Sequence, residues 1–199
     1  MKRRKAETPG TASDAALLAR FNAGEVQALA ELVERHNGGF YRFALDMTGQ
    51  AADAQDVVQE VWRRVVKKAA GFRGESFRGW LFRICRNHLI DRARMRRPNV
   101  SLDEPLGEDG TTLMDVLPAG GATPGQAVEG AEWRERLGQA VAGLSPKQRE
   151  VFLLRAEGMP FREIAGVQRV SINTALARMH YAVGKLQRML RKDFGAEAR

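Results

Sequence analysis

The sequence lacks several residue types and patterns on which common structural devices depend. Its 199 residues include a single cysteine, Cys85, which excludes an intramolecular disulfide and fits a reducing compartment. No apolar run approaches the roughly 20 residues of a membrane-spanning helix, so membrane insertion is not expected. The basic start, MKRRKAETPGTAS, has no apolar stretch behind its charges, which argues against a secretory signal. These absences predict a cytoplasmic protein whose residues 1–13 form a disordered basic tail.

Motifs for catalysis and metal binding are also missing. The three histidines and the one cysteine show no metal-ligand spacing. The sequence has no glycine loop that could cradle phosphates and no nucleophile elbow. We therefore expect a protein that is not an enzyme, with no catalytic residue, no metal and no cofactor.

Acidic residues are the minority, and they are unevenly distributed. The net charge of +8 and the pI near 10.2 favour a polyanionic partner. Residues 1–97 carry a net charge of +8, residues 98–130 carry −6 without a lysine or arginine, and residues 131–199 carry +6. The middle block is rich in proline and glycine and has neither helical nor strand periodicity, which predicts a linker. By composition alone, such a linker most commonly serves solubility.

The two flanking blocks show helical periodicity, and neither contains a convincing alternating strand pattern. The sequence thus predicts an all-α fold of two small helical domains, residues 14–97 and 131–193, joined by a flexible acidic linker over 98–130. Gly38-Gly39 and Thr48-Gly49 are expected to interrupt or end helices in the first domain. Apolar residues at helical spacing include Val26, Leu29, Leu32, Val33, Phe40, Phe43, Trp133, Leu137 and Val141.

The stretch DAQDVVQEVW, residues 53–62, separates into an apolar face and an acidic face when it is placed on a helix. When the helix is continued to residue 69, about half of its circumference is apolar and forms a core face, which comprises Val57, Val58, Val61, Trp62, Val65, Val66 and Ala69. Asp53, Asp56 and Glu60 fall within an arc of roughly 60° on the other side. Arg63, Arg64 and Lys67 lie beside or within that arc. A metal site would need more ligands, and a catalytic acid pair would need a cleft. From the residues alone, a solvated face leads, and a protein-docking surface is the other interpretation.

The stretch FRGESFRGWLFRICRNHLIDRARMRR, residues 72–97, is predicted to be a helix that begins at an N-cap, Ser76. Six arginines follow between Arg83 and Arg97, against one acid. A solvated basic face is one interpretation. Nucleic-acid contact is favoured, because arginines bind phosphates and the aromatic residues upstream can hold unstacked bases. Cys85 is expected to be buried rather than to act as a redox sensor.

In the second domain, LSPKQREVFLLRAEGMPFREIAGVQRVSINTALARMHYAVGKL predicts three consecutive helices. Residues 145–148 form a capped start with a first-turn proline and a capping-box glutamine, and Gly158 and Pro160 are predicted to end that helix. A short helix over 161–167 and a longer helix capped by Ser171 follow. The spacing fits a helix-turn-helix. A hairpin that merely packs has the same spacing, so the pattern alone favours DNA binding only slightly.

All three stretches resemble the extracytoplasmic-function (ECF) group of bacterial sigma factors. DAQDVVQEVW is similar to the signature Asp-Ala-Glu-Asp-Val-Val-Gln-Glu-Val-Phe, from which it departs at Gln55 and Trp62. The basic helix resembles the family's promoter-melting pattern, with Gly79 in the place of an alanine. The last stretch resembles the domain that reads the minus-thirty-five element, with Arg169 where glycine is usual and Leu176 where lysine is frequent. A non-glycine residue in a left-handed turn costs about 1 kcal/mol.

The resemblance implies an alternative sigma factor that binds core RNA polymerase, directs it to promoters and promotes DNA melting. Implied partners are the polymerase β′ clamp helices, the β subunit and promoter DNA, and the resemblance also allows an anti-sigma factor. The implied core-polymerase contacts are Asp53, Asp56, Gln59 and Glu60. The implied contacts with the minus-ten element are Phe72, Arg73, Arg83, Arg86, Asn87 and Arg94. Among these, Phe72 is implied to line a pocket for a flipped base. The implied contacts with the minus-thirty-five element are Arg149, Ser171, Asn173, Thr174, Ala177 and Arg178.

Two other functions compete with this one. A helix-turn-helix transcriptional regulator that does not dock on polymerase would explain the second domain. The acidic stretch over 53–62 and the arginine-rich helix after it argue against that alternative. A DNA- or RNA-processing enzyme would explain the basic charge, but the sequence carries none of the motifs that such chemistry requires.

Overall fold

The computed structural model describes residues 12–74, 76–96 and 129–196, and within these ranges all regular structure is helical. Most of the predicted tail, residues 1–13, and nearly all of the predicted linker, residues 98–130, lie outside the described residues. The all-α fold class is confirmed.

Helices from the two sequence blocks form two domains. The first domain comprises α1 (Asp14–Asn22), α2 (Val26–Thr48), α3 (Ala51–Lys68), a 3₁₀ turn (Ala69–Gly71) and α4 (Phe77–Arg96). The second domain comprises α5 (Glu129–Ala142), α6 (Pro146–Ala156), α7 (Phe161–Gln168) and α8 (Ile172–Ala196). None of the helices in the described ranges is long and apolar enough to cross a membrane.

The helix α2 ends at a glycine and runs through two others. Gly49 adopts φ 74° and donates its N–H to the Leu45 carbonyl at 2.8 Å, which closes the helix as predicted. Gly38-Gly39, by contrast, does not interrupt α2, so that part of the prediction is wrong. Two interior glycines cost a helix about 1 kcal/mol each. The next turns bury Phe40 and Phe43, and each buried phenylalanine contributes about 1.5–3 kcal/mol.

Aromatic and valine side chains form the core of the first domain. Phe82 of α4 meets Phe40 and Phe43 of α2 edge-on, with ring centroids 5.9 and 5.1 Å apart. The α3 residues Val57, Val61 and Val65 are fully buried, as predicted. Val66, which the helical projection also placed on the core face, is 44% exposed. The apolar face predicted for α3 is thus wider than the part of α3 that α2 and α4 bury.

Local signals place the helix starts where the sequence predicted them. Ser76 Oγ accepts the Gly79 N–H at 3.0 Å at the start of α4. The Ser145 N–H donates to the side chain of Gln148 at 3.4 Å, which is one half of the capping box of α6. Ser171 Oγ likewise caps the first turn of α8.

The two domains pack against each other. The arginine-rich helix α4 contacts α7, and α2 contacts α5 and α6. A cavity of about 450 Å³ lies at this junction, between the C-terminal half of α4 and the start of α6. The described parts of the two domains therefore share one interface, which no sequence pattern predicted.

Candidate nucleic-acid interface

The carboxylates on the acidic face of α3 form ion pairs with arginines. Arg92 of α4 binds the half-buried carboxylate of Asp53, and its second terminal nitrogen lies 3.9 Å from Asp56 Oδ2. The Arg64 Nε donates to Glu60 Oε1 at 2.6 Å, and Arg63 binds the other oxygen of Glu60. The most accessible carboxylate of the face is therefore Asp56, whose side chain is 69% exposed.

Gln59, the fourth residue implied by the resemblance, is exposed beside these carboxylates. The structure thus brings Asp53, Asp56, Gln59 and Glu60 onto one surface of α3. Sequence reasoning found Arg63 and Arg64 beside the acidic arc but missed Arg92, which is 39 residues from Asp53. No local spacing could have shown that contact, because it depends on how α4 packs on α3.

The loop before α4 is an aromatic platform. The Phe72 ring lies 6.2 Å from Phe77 and 5.1 Å from Trp80, measured between centroids. Arg73 folds back and donates to the carbonyls of Ala70 and Phe72 at 2.9 and 3.0 Å, which holds the loop in place. Half-buried rings at a surface are suited to stacking on unstacked bases.

The arginines of α4 differ in accessibility. Arg83 and Arg94 are exposed, whereas Arg86 and Asn87 are half-buried. The Arg86 Nε lies 3.1 Å from Oε1 and 3.2 Å from Oε2 of Glu150, on α6 of the second domain. Four of the predicted minus-ten residues therefore lie along α4, and Phe72 and Arg73 lie in the loop before it. One of the four, Arg86, is engaged by the other domain.

The turn between α7 and α8 has the unusual backbone that the sequence indicated. Arg169 adopts φ 54° and ψ 48°, which is the left-handed conformation. The sequence analysis predicted strain at this position, because a residue other than glycine occupies the turn. The exposed Ser171 and Asn173 follow at the start of α8, and Ser171 Oγ lies 2.8 Å from Thr174 Oγ1. The geometry is that of a helix-turn-helix whose second helix presents its first turn to solvent. Ala177, one turn later, is half-buried.

Two residues implied in minus-thirty-five recognition have structural partners here. Arg178 is only 7% exposed and donates to Gln168 Oε1 at 2.9 Å. Gln168 in turn donates to Glu150 Oε2 at 2.8 Å. Arg149 Nε donates to the Val141 carbonyl at 3.1 Å at the end of α5. These roles within the domain were not visible in the sequence.

Burial dominates the electrostatics of this polar network. It raises the pKa of Glu150 above the ordinary carboxyl range, although Arg86, Gln168 and Arg178 oppose that shift. Burial likewise lowers the pKa of Arg178. Within the described residues, no three or more histidine, cysteine, aspartate or glutamate side chains are grouped so that they could hold a metal ion.

Comparison with known proteins identifies these domains. Residues 32–98 match the family model described as Sigma-70 region 2, and residues 134–186 match the model described as Sigma-70, region 4. The first match contains the acidic face, the aromatic platform and all of α4. The second contains the helix-turn-helix.

Individual relatives agree with the family models. The chain is 29% identical over 171 residues to the ECF RNA polymerase sigma factor SigW of Bacillus subtilis (strain 168), covering 84% of this chain and 91% of SigW. It is 32% identical over 174 residues to the ECF RNA polymerase sigma factor SigL of Mycobacterium tuberculosis (strain ATCC 25618 / H37Rv), covering 85% of this chain and 93% of SigL. A solved structure of CnrH in complex with the cytosolic domain of CnrY matches with a TM-score of 0.67 and 26% identity, covering 90% of this chain and 98% of CnrH.

The chain belongs to the ECF group of RNA polymerase sigma factors. It is a DNA-binding transcription initiation factor that works with RNA polymerase at promoters. The functional class implied by the sequence resemblance is confirmed, and a helix-turn-helix regulator without polymerase docking is not favoured. The individual contact residues stay predictions.

Proposed function

We propose that the first domain docks on core RNA polymerase through Asp53, Asp56, Gln59 and Glu60, which meet the clamp helices of the β′ subunit. The observation that carries this assignment is the juxtaposition of α3 and α4. The acidic face of α3 and the arginine face of α4 lie on one domain and are joined by the contact between Arg92 and Asp53. A protein that must hold a partner and melted DNA together needs two such faces in fixed relation.

The DNA contacts divide between the two domains. Phe72 and Arg73 in the platform, with residues of α4, take the minus-ten element and its unpaired bases. The exposed first turn of α8 reads the minus-thirty-five duplex from the major groove. The contacts proposed for the minus-ten element are Phe72, Arg73, Arg83, Arg86, Asn87 and Arg94. Those proposed for the minus-thirty-five element are Arg149, Ser171, Asn173, Thr174, Ala177 and Arg178.

Further partners are the β subunit and an anti-sigma factor. The solved complex of CnrH with the cytosolic domain of CnrY supports a second protein as a binding partner, because this chain's fold covers 98% of CnrH. The cavity between the domains fits a peptide segment of such a protein, since its lining combines apolar Leu89 and Ile90 with cationic Arg92 and Arg149. The factor operates in the cytoplasm as a dissociable subunit and catalyses no reaction itself.

In vitro transcription tests the proposal. Purified chain is added to core polymerase on a library of genomic promoter fragments, and transcript start sites are mapped. We expect a defined set of starts that core alone does not produce. A chain that binds core but produces no new start site would contradict promoter selection. A chain that does not bind core would contradict the docking assignment.

A further inference from the structure

The first turns of α8 carry no charged side chain. Between Arg169, in the turn before the helix, and Arg178, the sequence has neither a cationic nor an acidic residue. Arg178 is only 7% exposed, and its guanidinium donates to Gln168 Oε1 at 2.9 Å inside the domain. The surface at the start of α8 is therefore neutral, although the chain as a whole is strongly basic.

Two hydroxyl side chains at this end of α8 are engaged with the helix itself. Ser171 Oγ accepts the Thr174 N–H at 3.1 Å and lies 2.8 Å from Thr174 Oγ1, which is the geometry of a helix cap. Ile172 and Asn173 lie between these two residues and are exposed, Ile172 to 45%. The first turn thus presents one apolar side chain and one amide to solvent.

The position of Ile172 gives its exposure a specific use. Single apolar side chains are common on protein surfaces and need no explanation by themselves. Ile172, however, lies at the start of the second helix of a helix-turn-helix, which is the helix that enters the major groove. In that groove the 5-methyl group of thymine is apolar, and apolar side chains recognise it. Ile172 has the chemistry to cover a thymine methyl group.

Asn173 has the chemistry to recognise adenine. Its amide can donate to N7 of adenine and accept from the N6 amino group in one bidentate contact. Ala177 follows four residues later on the same face of α8, and its short side chain leaves room for a base edge. Consecutive residues of a helix point about 100° apart, so we assign Ile172 and Asn173 to neighbouring base pairs.

Guanine has no matching group at the start of α8. The commonest specific contact with guanine is a bidentate arginine or lysine, and the first turns of this helix carry neither. Arg169 is exposed in the turn before the helix, where an arginine suits a phosphate of the DNA backbone. Such a contact positions the helix without selecting a base.

We propose that the start of α8 reads A·T base pairs, with Ile172 covering a thymine methyl group and Asn173 pairing with an adenine edge. The inference rests on the proposed function, because it requires that α8 enters the major groove of the upstream duplex. It adds Ile172 to the contacts of this helix and names the base pairs that the helix selects. Because these two contacts are uncharged, the preference between sequences should change little with salt, unlike the overall affinity.

Base analogues test each contact separately. Holoenzyme assembled from the full-length chain and core polymerase first selects upstream elements from a duplex library with a randomised segment. Each thymine of a selected element is then replaced by deoxyuridine, which lacks only the methyl group. Each adenine is replaced by 7-deazaadenine, which lacks the N7 acceptor. Fluorescence anisotropy measures the affinity of the holoenzyme for each duplex.

For Ile172, we expect one deoxyuridine substitution to weaken binding by about fourfold, which is the effect of removing one methyl group from an apolar contact. Ile172→Ala should weaken binding to the thymine duplex by at least as much and should abolish the response to deoxyuridine. Ile172→Val keeps a branched apolar side chain and should retain the response. The matched control is Val26→Ala on α2, where Val26 is 72% exposed, and it should behave like the parent.

For Asn173, we expect the parent to lose about tenfold in affinity when one adenine becomes 7-deazaadenine. Asn173→Ala should bind the two duplexes equally. Gln27→Ala removes an exposed amide from α2 and should keep the discrimination of the parent. Far-UV circular dichroism checks that all variants keep their helices.

The outcomes distinguish failure of the inference from failure of the proposed function. Selected elements that contain no A·T pair, or that bind equally well with deoxyuridine and 7-deazaadenine, would overturn the A·T readout and leave the docking of α8 on DNA intact. A deoxyuridine response that persists in Ile172→Ala would overturn the role of Ile172. A holoenzyme that selects no upstream element would contradict the proposed function of α8, and the inference with it.

Discussion

The guanidinium of Arg92 on α4 binds the carboxylate of Asp53 on α3 and lies within 3.9 Å of Asp56. One residue of the proposed DNA-melting helix therefore fixes the geometry of the proposed polymerase-docking face. Because Arg92 joins the proposed docking surface on α3 to the proposed melting surface on α4, neither surface can move without the other.

Arg92→Ala should lower the free energy of unfolding by about 1–3 kcal/mol, because a half-buried carboxylate loses a charged hydrogen-bond partner. Urea denaturation measures the change. Arg94→Ala, an exposed substitution on the same helix, should stay within about 0.5 kcal/mol of the parent. Equal stability of the two variants would show that the Arg92 contact contributes nothing.

Asp56→Arg with Gln59→Arg should abolish binding to core polymerase while the fold is kept. Both residues are exposed, whereas reversing Glu60 would also disrupt its pairs with Arg63 and Arg64. Like charges across an interface cost several kcal/mol. The measurement is a fluorescence titration with core.

The control for that titration is Glu34→Arg with Gln27→Arg, which makes the same changes on the exposed surface of α2. It should bind core like the parent. Unchanged affinity in the α3 variant, or equal loss in both variants, would rule out α3 as the docking surface.

Asn173→Ala and Asn87→Ala should produce separable defects. Asn173 is exposed in the first turn of α8, so its loss should weaken binding to duplex upstream DNA by about 1–3 kcal/mol if it contacts a base. Asn87→Ala should spare duplex binding and impair strand opening, which permanganate footprinting detects. Arg178 is unsuitable for this test, because its removal would also disturb Gln168 and Glu150.

A pre-melted promoter provides the decisive comparison between the two asparagine variants. It should rescue Asn87→Ala, whose contact forms only with unpaired bases, and leave Asn173→Ala defective. If both variants lost duplex binding equally and neither was rescued, the division of promoter elements between α4 and α8 would be wrong.

Arg169→Gly and Arg162→Gly should change stability in opposite directions. Arg169 has a left-handed backbone, so glycine relieves strain of up to about 1 kcal/mol. Arg162 is exposed within α7, where glycine costs about 1 kcal/mol of helix stability. Thermal unfolding followed by circular dichroism compares them. A loss of stability with Arg169→Gly would show that the arginine side chain contributes more than the turn strain costs.

Cys85 should resist thiol reagents in the native protein and react once the chain unfolds. Burial, with a smaller contribution from the Glu150 carboxylate, raises the pKa of the thiol, so the reactive thiolate is scarce. Ellman's reagent, with and without denaturant, measures the rates. Comparable rates in the two conditions would contradict the buried structural role and reopen redox sensing.

The features that were predicted correctly from the sequence are those that depend on residues close together in the chain. The helix starts at Ser76 and Ser171 and the left-handed turn at Arg169 each depend on a few neighbouring residues. The continuation of α2 through Gly38-Gly39 was missed, because tertiary burial of the next turn outweighs glycine's weak propensity. The family resemblance then located the functional surfaces without showing what lies against them.

Contacts between distant residues were beyond any sequence pattern. The pairing of Arg92 with Asp53 depends on the packing of α4 on α3, and the pairing of Arg86 with Glu150 depends on the docking of two domains. Periodicity assigns a residue to a face of its own helix but does not identify the residue opposite. The carboxylate of Glu150, which the second domain presents to α4, was hidden for that reason, since that domain as a whole is basic.

The buried carboxylate of Glu150 faces Arg86 directly and reaches Arg178 through Gln168, so two residues assigned to different promoter elements meet at one acid. Thermodynamic linkage makes any such coupling reciprocal. If releasing Arg86 from Glu150 makes the release of Arg178 easier by some free energy, releasing Arg178 makes the release of Arg86 easier by the same amount. If Arg86 and Arg178 contact the promoter elements proposed for them, we therefore expect binding of the upstream duplex and binding of the melted strand to be cooperative, because both would release the same carboxylate.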